Sequence, residues 1–179
     1  PALVTALLLV DGGLPLDAPP GVGVDEAVQA VLGPAAERLA MTFPSRAAYR
    51  KFWQQHPAFV DDWSPAVADY VDYDLFGDEP RLRPSTSFDA LAADSRDITL
   101  GTALPKALER LRHPARLLLA ERGMLDQLPP LYPDDALAPW RGKQPRLRID
   151  RVDGVNHYTI TMHERGITHV AEAVRALLP

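Results

Sequence analysis

Three short apolar runs, separated by long segments of other character, constrain the fold of this chain most strongly. The first, Ala6–Val10, is apolar throughout and ends at Asp11-Gly12-Gly13, which is typical of a strand buried on both faces and closed by a tight turn. The second run is Arg116–Ala120, and the third, Arg146–Val152, alternates apolar and basic residues like a more exposed strand. Strands that alternate with helices favour a parallel sheet covered by helices. We therefore predict the α/β class.

The segments between these runs carry the spacing and the caps of helices. Asp25 is a candidate N-cap, and Ser45 is a second one for a helix that reaches Gln55. Ser64-Pro65 gives a further start, with proline at the first helical position. Pro133 begins another helix, and Ile167–Leu178 has the apolar stripe of an amphipathic helix that packs on a sheet.

The helical segments divide the chain into two predicted parts. No strand-like run occurs between Asp25 and Leu111, so we predict an all-helical insertion over residues 23–111. Residues 1–22 and 112–179 form the sheet part. Three strands alone leave an open edge, and the chain enters a strand at once without Met, so we expect a missing N-terminal half. The open edge also predicts self-association through strands.

The composition excludes several classes of partner. The 179 residues suffice for one compact body, and their 46% hydrophobic and 24% charged content is ordinary for a soluble domain. A net charge of −5 makes nucleic acid and anionic membranes poor partners and leaves a small-molecule substrate. The absence of cysteine excludes thiol catalysis and disulfides. The apolar run Leu3–Val10 is too short to span a bilayer, and we expect a cytoplasmic protein.

Polar residues follow each predicted strand, where functional groups of open α/β sheets gather. The first end carries Asp11, the second carries Glu121 and Asp126, and the third carries Asn156-His157-Tyr158. A histidine held at the rim of a sheet is well placed to act as a general base.

In these motifs the sequence resembles the C-terminal part of an α/β-hydrolase with a helical cap. The resemblance is carried by four segments: Leu8–Gly13, Leu117–Gly123, Gly154–His157 and the cap helix Ser45–Pro57. It implies that His157 is the base of a catalytic triad, acting on an ester or related acyl substrate. It also implies an orienting carboxylate after the preceding strand, for which Asp126 is the first choice and Glu121 the alternative.

The residue that would complete such a triad is absent from the sequence. No G-x-S-x-G motif occurs, and the five serines lie in the helical block, where they are typical of caps and loops. The nucleophile and the oxyanion hole are therefore expected upstream, and this chain alone is expected to be inactive.

Aromatic and acidic residues of the cap have simpler interpretations. We expect most of the aromatic side chains to form the core of the cap, and Trp53, Tyr70, Tyr73 and Tyr158 to contact substrate. The carboxylates between residues 61 and 79 do not have the spacing of a calcium loop, and neither a metal nor a cofactor is predicted. Two alternatives stay open: an epoxide hydrolase or haloalkane dehalogenase-like enzyme with an Asp nucleophile, and a non-catalytic binding module of the same fold.

Overall fold

The structure, a computed structural model, describes residues 3–16, 26 and 37–178. The strands of these ranges are β1 (Leu7–Val10), β2 (Leu75–Phe76), β3 (Arg83–Pro84), β4 (Ala115–Arg122) and β5 (Leu147–Asn156). The helices are α1 (Arg46–Gln54), α2 (Pro65–Tyr73), α3 (Phe88–Leu100), α4 (Ala103–Glu109), α5 (Asp134–Lys143), α6 (Thr159–Met162) and α7 (Glu164–Leu177). Residues 37–40 are helical as well. Of the helix predicted from Asp25, only residue 26 is among the described residues.

Strands β1, β4 and β5 form a parallel sheet in the order β1-β4-β5. Leu7 of β1 is level with Ala115 of β4, and Ala115 is level with Leu147 of β5. The predicted α/β class with a parallel sheet is confirmed. Strand β5 runs to Asn156, beyond the predicted end, so Gly154 lies within the strand and His157 follows it directly.

The central strand β4 is buried on both faces, because adjacent side chains of a strand point to opposite sides of the sheet. Leu117 and Leu119 pack on one side with residues that include Leu137 of α5, and Leu118 and Ala120 pack on the other. The second side is covered by α7 through residues that include Ala173. Two apolar layers thus hold the sheet rigid beneath its carboxyl end.

Two helices of the predicted cap segment, residues 23–111, begin where the sequence predicts. The Ser45 side chain accepts a hydrogen bond from the backbone N–H of Ala48 at 3.1 Å, and the Ser64 side chain accepts one from Val67 at 3.3 Å. Both N-cap predictions are confirmed.

The prediction that the cap is all-helical is wrong. Strands β2 and β3 form a short antiparallel pair, and Phe43 pairs with Leu82 in an isolated bridge. Both of these side chains are buried in the cap core. The pairing provides hydrogen-bond partners for the backbone N–H and C=O groups next to these buried side chains. A two-residue strand is too short to show an alternating pattern in the sequence.

Helix α4 packs with the sheet, although the predicted cap range includes it. Leu104 and Leu108 join the apolar layer that contains Leu117 and Leu119. The division at residue 111 stays a prediction. Among the helices in the described ranges, none is long and apolar enough to cross a membrane.

Candidate functional site

The candidate site is a contact between His157 and Asp11 at the carboxyl end of the sheet. Nδ1 of His157 lies 2.8 Å from Oδ2 of Asp11. The Asp11 side chain is 2% exposed, whereas the His157 side chain keeps 32% of its surface open to solvent. A carboxylate has only acceptors, so the geometry assigns the proton to Nδ1 and leaves Nε2 with a free lone pair. Within the described residues, Nε2 makes no hydrogen bond.

Asp11 reaches His157 across the end of the middle strand. It follows β1 directly, and its backbone takes a positive φ of 43°, a left-handed conformation that aspartate tolerates better than most residues. The backbone N–H of Ala120 in β4 donates to Asp11 Oδ1 at 2.8 Å, and the N–H of Asp11 donates to Leu118 at 2.7 Å. Both carboxylate oxygens therefore have a partner, so the buried group is held in one orientation.

Tyr132 forms part of the wall beneath this contact. Its hydroxyl donates to the carbonyl oxygen of Leu14 at 2.9 Å, shortly after Asp11 in the chain. Burial raises the pKa of Tyr132 to about 12, and the negative charge of Asp11 adds to this. The tyrosine therefore stays protonated and fixes the turn that follows Asp11.

Asp126, the predicted partner of His157, makes other contacts. Its Oδ1 accepts from Nε of Arg122 at 2.7 Å and from the side-chain amide of Asn156 at 2.9 Å. The hydrogen bond to Asp126 raises the pKa of Arg122. The N–H of Asp126 donates to the carbonyl of Gly123, so a tight turn directs the carboxylate back to Arg122.

Glu121, the alternative acid, also points elsewhere. Its Oε2 accepts from the backbone N–H of Gly154 at 2.7 Å and from Arg122 at 3.1 Å. The carboxylate in contact with His157 in this structure is Asp11, whereas Asp126 and Glu121 have other partners. The signal in the sequence was an acid directly at the end of a fully apolar strand, before two glycines.

The four predicted substrate contacts differ in their surroundings. Tyr158 is partly buried, and its ring lies 5.4 Å from that of His157 and 6.2 Å from that of Trp53. Trp53 is 5% exposed, and no hydrogen-bond partner of its Nε1 occurs among the described residues. Tyr70 is 41% exposed and Tyr73 88% exposed. The structure thus places Tyr158 beside His157 and leaves Tyr73 in solvent.

Charge and burial around Tyr158 connect the site with the cap. Burial raises the pKa of Tyr158, and nearby Tyr70 raises it further, while Arg38 lowers it. Burial lowers the pKa of His56, whose ring lies 5.9 Å from that of Tyr158. The ring of Tyr158 therefore has both His157 and His56 as neighbours.

The five serines do not contact His157. Ser45, Ser64 and Ser87 accept hydrogen bonds from backbone N–H groups at helix starts, and Ser85 donates to Asp74. Among the described residues, no cluster of three or more histidine, aspartate or glutamate side chains could hold a metal ion.

Comparison with known proteins identifies the fold. No family model matches the sequence, and no curated protein matches it. Among solved structures, E-2-(acetamidomethylene)succinate hydrolase is similar with a TM-score of 0.64 and 20% identity, over 96% of this chain and 57% of that one. The peroxisomal α/β-hydrolase of Saccharomyces cerevisiae gives a TM-score of 0.64 and 14% identity over 97% and 48%. The thioesterase domain from the curacin biosynthetic pathway gives 0.56 and 15% over 98% and 56%.

The sheet with its helices therefore has the fold of α/β-hydrolases, as the resemblance in the sequence predicts. The chain spans about half the length of the solved structures it matches.

Proposed function

We propose that this chain carries the base and the orienting acid of a hydrolase that cleaves esters or related acyl compounds. His157 is the base, and Asp11 takes the role that the sequence assigned to Asp126. The contact of 2.8 Å between a buried carboxylate and a half-open imidazole carries this proposal. The matched thioesterase domain supports the acyl class, since its name denotes cleavage of an acyl–sulfur bond, and the matched hydrolase supports hydrolysis in general.

The chemistry follows from the orientation of the ring. Nε2 of His157 takes the proton from a nucleophilic hydroxyl as its oxygen attacks the carbonyl carbon of the substrate. The same proton then passes from Nε2 to the departing oxygen or sulfur as the acyl bond breaks. Water repeats the sequence on the acyl intermediate and regenerates the hydroxyl. Asp11 holds the Nδ1 proton and stabilises the imidazolium during both transfers.

The nucleophile in this proposal lies outside the 179 residues. Ser45, Ser64 and Ser87 are helix N-caps, Ser85 lies in a loop, and Ser95 lies within α3. In the described ranges β1 pairs only with β4, so its outer edge offers unpaired backbone groups. We propose that the nucleophile-bearing half of the protein pairs at this edge and brings its hydroxyl to Nε2.

The two alternatives lead to different experimental results. An enzyme with an Asp nucleophile would hydrolyse epoxides or haloalkanes and would not react with a fluorophosphonate. A binding module of the same fold would neither hydrolyse esters nor react with this probe. No contact in the site favours either alternative over acyl hydrolysis.

The test is hydrolysis of p-nitrophenyl butyrate by the complete protein and by this chain alone. His157→Ala and Asp11→Asn in the complete protein should each lower kcat/KM by about 10² to 10⁴-fold, whereas Asp126→Asn, which changes no direct contact of His157, should lower it much less. This chain alone should be inactive. Activity of the chain alone that depends on His157 would refute an external nucleophile, and full activity of the Asp11→Asn protein would refute the assigned acid.

A further inference from the structure

We infer that Asn156 is a positioning residue that sets the orientation of His157 and couples it to the cap. This inference rests on the proposed function, because it concerns the base of that mechanism. Asn156 directly precedes His157 at the end of β5 and is fully buried. A buried carboxamide has two donors and an acceptor to satisfy, so its position is determined by its partners.

The carbonyl half of the side chain closes the loop that carries His157. Asn156 Oδ1 accepts from the backbone N–H groups of Tyr158 and Thr159, both at 3.0 Å. The backbone N–H of Asn156 in turn donates to Oγ1 of Thr159 at 2.8 Å. His157 therefore lies inside a closed set of hydrogen bonds between residues 156 and 159, at the start of α6. This arrangement fixes the backbone from which the imidazole projects.

The amide half joins two other segments to this loop. Asn156 Nδ2 donates to the carbonyl oxygen of Ala58, in the cap, at 2.9 Å. It also donates to Oδ1 of Asp126, in the loop after β4, at 2.9 Å. Asp126 is itself held by Arg122. Asp126 thus contributes to the site through Asn156 and not by touching the imidazole.

The aromatic contacts support the same coupling. Phe59 follows Ala58, and its ring lies 5.1 Å from the ring of Tyr158 on the other side of His157. A shift of the cap at Ala58 and Phe59 would move both neighbours of His157. The cap can therefore adjust the position of Nε2 without contacting the imidazole.

Two substitutions separate the two halves of the side chain. Asn156→Asp keeps an oxygen for the N–H groups of Tyr158 and Thr159, but it loses the donor and places a second carboxylate against Asp126. Asn156→Ala removes both halves. The matched control is Gln144→Ala, since Gln144 is a buried amide that donates to the Leu108 carbonyl at the opposite end of the sheet.

The measurement is hydrogen exchange of this chain followed by nuclear magnetic resonance. It gives the rates at which the Nδ1 proton of His157 and the backbone amide protons exchange with water. Both Asn156 variants should speed exchange of the Nδ1–H proton by about tenfold or more. Gln144→Ala, measured equally far below its own melting temperature, should leave that exchange rate unchanged. Asn156→Asp should speed exchange of the Phe59 and Val60 amides while those of Tyr158 and Thr159 stay protected. If Asn156→Ala does not fold, Asn156→Asp provides the same test.

The result that overturns the inference is Nδ1–H exchange at the wild-type rate in the Asn156 variants, or equal acceleration in Gln144→Ala. Asp11→Asn distinguishes this failure from failure of the proposed function. If Asp11→Asn removes the Nδ1–H signal and the Asn156 variants leave it unchanged, the positioning role alone is refuted. If Asp11→Asn also leaves it unchanged, the proposed acid is refuted.

Discussion

Replacement of Asp11 by Asn tests the assignment of the acid with almost no change in shape. The Asn side chain retains one oxygen, which can still accept the N–H of Ala120, and this places its NH₂ group against Nδ1 of His157. Two donors cannot pair, so Nδ1 must become the acceptor and the ring proton must move to Nε2. The nitrogen that should accept a proton from the nucleophile then already carries one.

The expected effect on activity is much larger than the effect on stability. The variant exchanges a charge-assisted hydrogen bond for a neutral one, so the free energy of unfolding should fall by about 1 to 2 kcal/mol. In the complete protein the wrong tautomer should lower kcat by about 10⁴-fold, the loss found for the equivalent change in serine proteases. A loss of activity through unfolding would not give this separation between the two effects.

The direct assay is the ¹⁵N spectrum of the two ring nitrogens of His157 in this chain at pH 8. Wild type should show Nδ1 protonated and Nε2 unprotonated, and Asp11→Asn should show the reverse. Asp126→Asn is the control, since Asp126 contacts Arg122 and Asn156 but not the imidazole. In this variant Nδ1 of His157 should stay protonated. Nδ1 protonated equally in wild type and in Asp11→Asn would refute the assignment.

Three further changes test the packing that supports the site. Below pH 10 the Tyr132 hydroxyl keeps its proton in both the folded and the unfolded chain, and its contribution to stability is fully present. This contribution is lost as pH rises towards about 12, the raised pKa of Tyr132 in the folded state. Between pH 9 and 11 this loss amounts to about 1.4 kcal/mol, because pH 11 lies one unit above the unfolded pKa. Tyr132→Phe should remove it in urea titrations at these two pH values, and an unchanged pH dependence would contradict the burial argument. Leu117→Ala should lower the free energy of unfolding by about 2 to 5 kcal/mol, because Leu117 is fully buried in the middle strand. Ser45→Ala should cost only about 1 kcal/mol by the same urea titrations, since it removes one cap hydrogen bond at a helix start; a larger cost for Ser45→Ala than for Leu117→Ala would contradict the ranking.

The fold was predictable where local sequence and tertiary packing agree. The run that became β4 is apolar on both faces, so burial dictates its conformation whichever neighbours it has. Ser45 and Ser64 precede helices for a reason that is local to the chain, since the hydroxyl pairs with an N–H three residues later. The short pair β2 and β3 was missed because its stability comes from burial of Phe43 and Leu82, which are distant in sequence.

The contact between Asp11 and His157 was not predictable from chain order, because it depends on how far each loop can reach. Family resemblance placed the acid after the strand next to His157 in sequence, and Asp126 satisfies that rule. Arg122, four residues before Asp126, donates a hydrogen bond of 2.7 Å to this carboxylate, which therefore points to Arg122 and not to His157. Asp11 instead follows β1 beside Leu118 of β4, and the positive φ at Asp11 accompanies its contacts with the N–H of Ala120 and with Nδ1. A buried acid with a fixed second partner is a better orienting group than a more exposed one paired with arginine, since its charge has fewer competing contacts and less screening. Arg122 contacts Asp126 and Glu121 alike, so in this structure both carboxylates are paired with arginine and Asp11 is the one paired with His157.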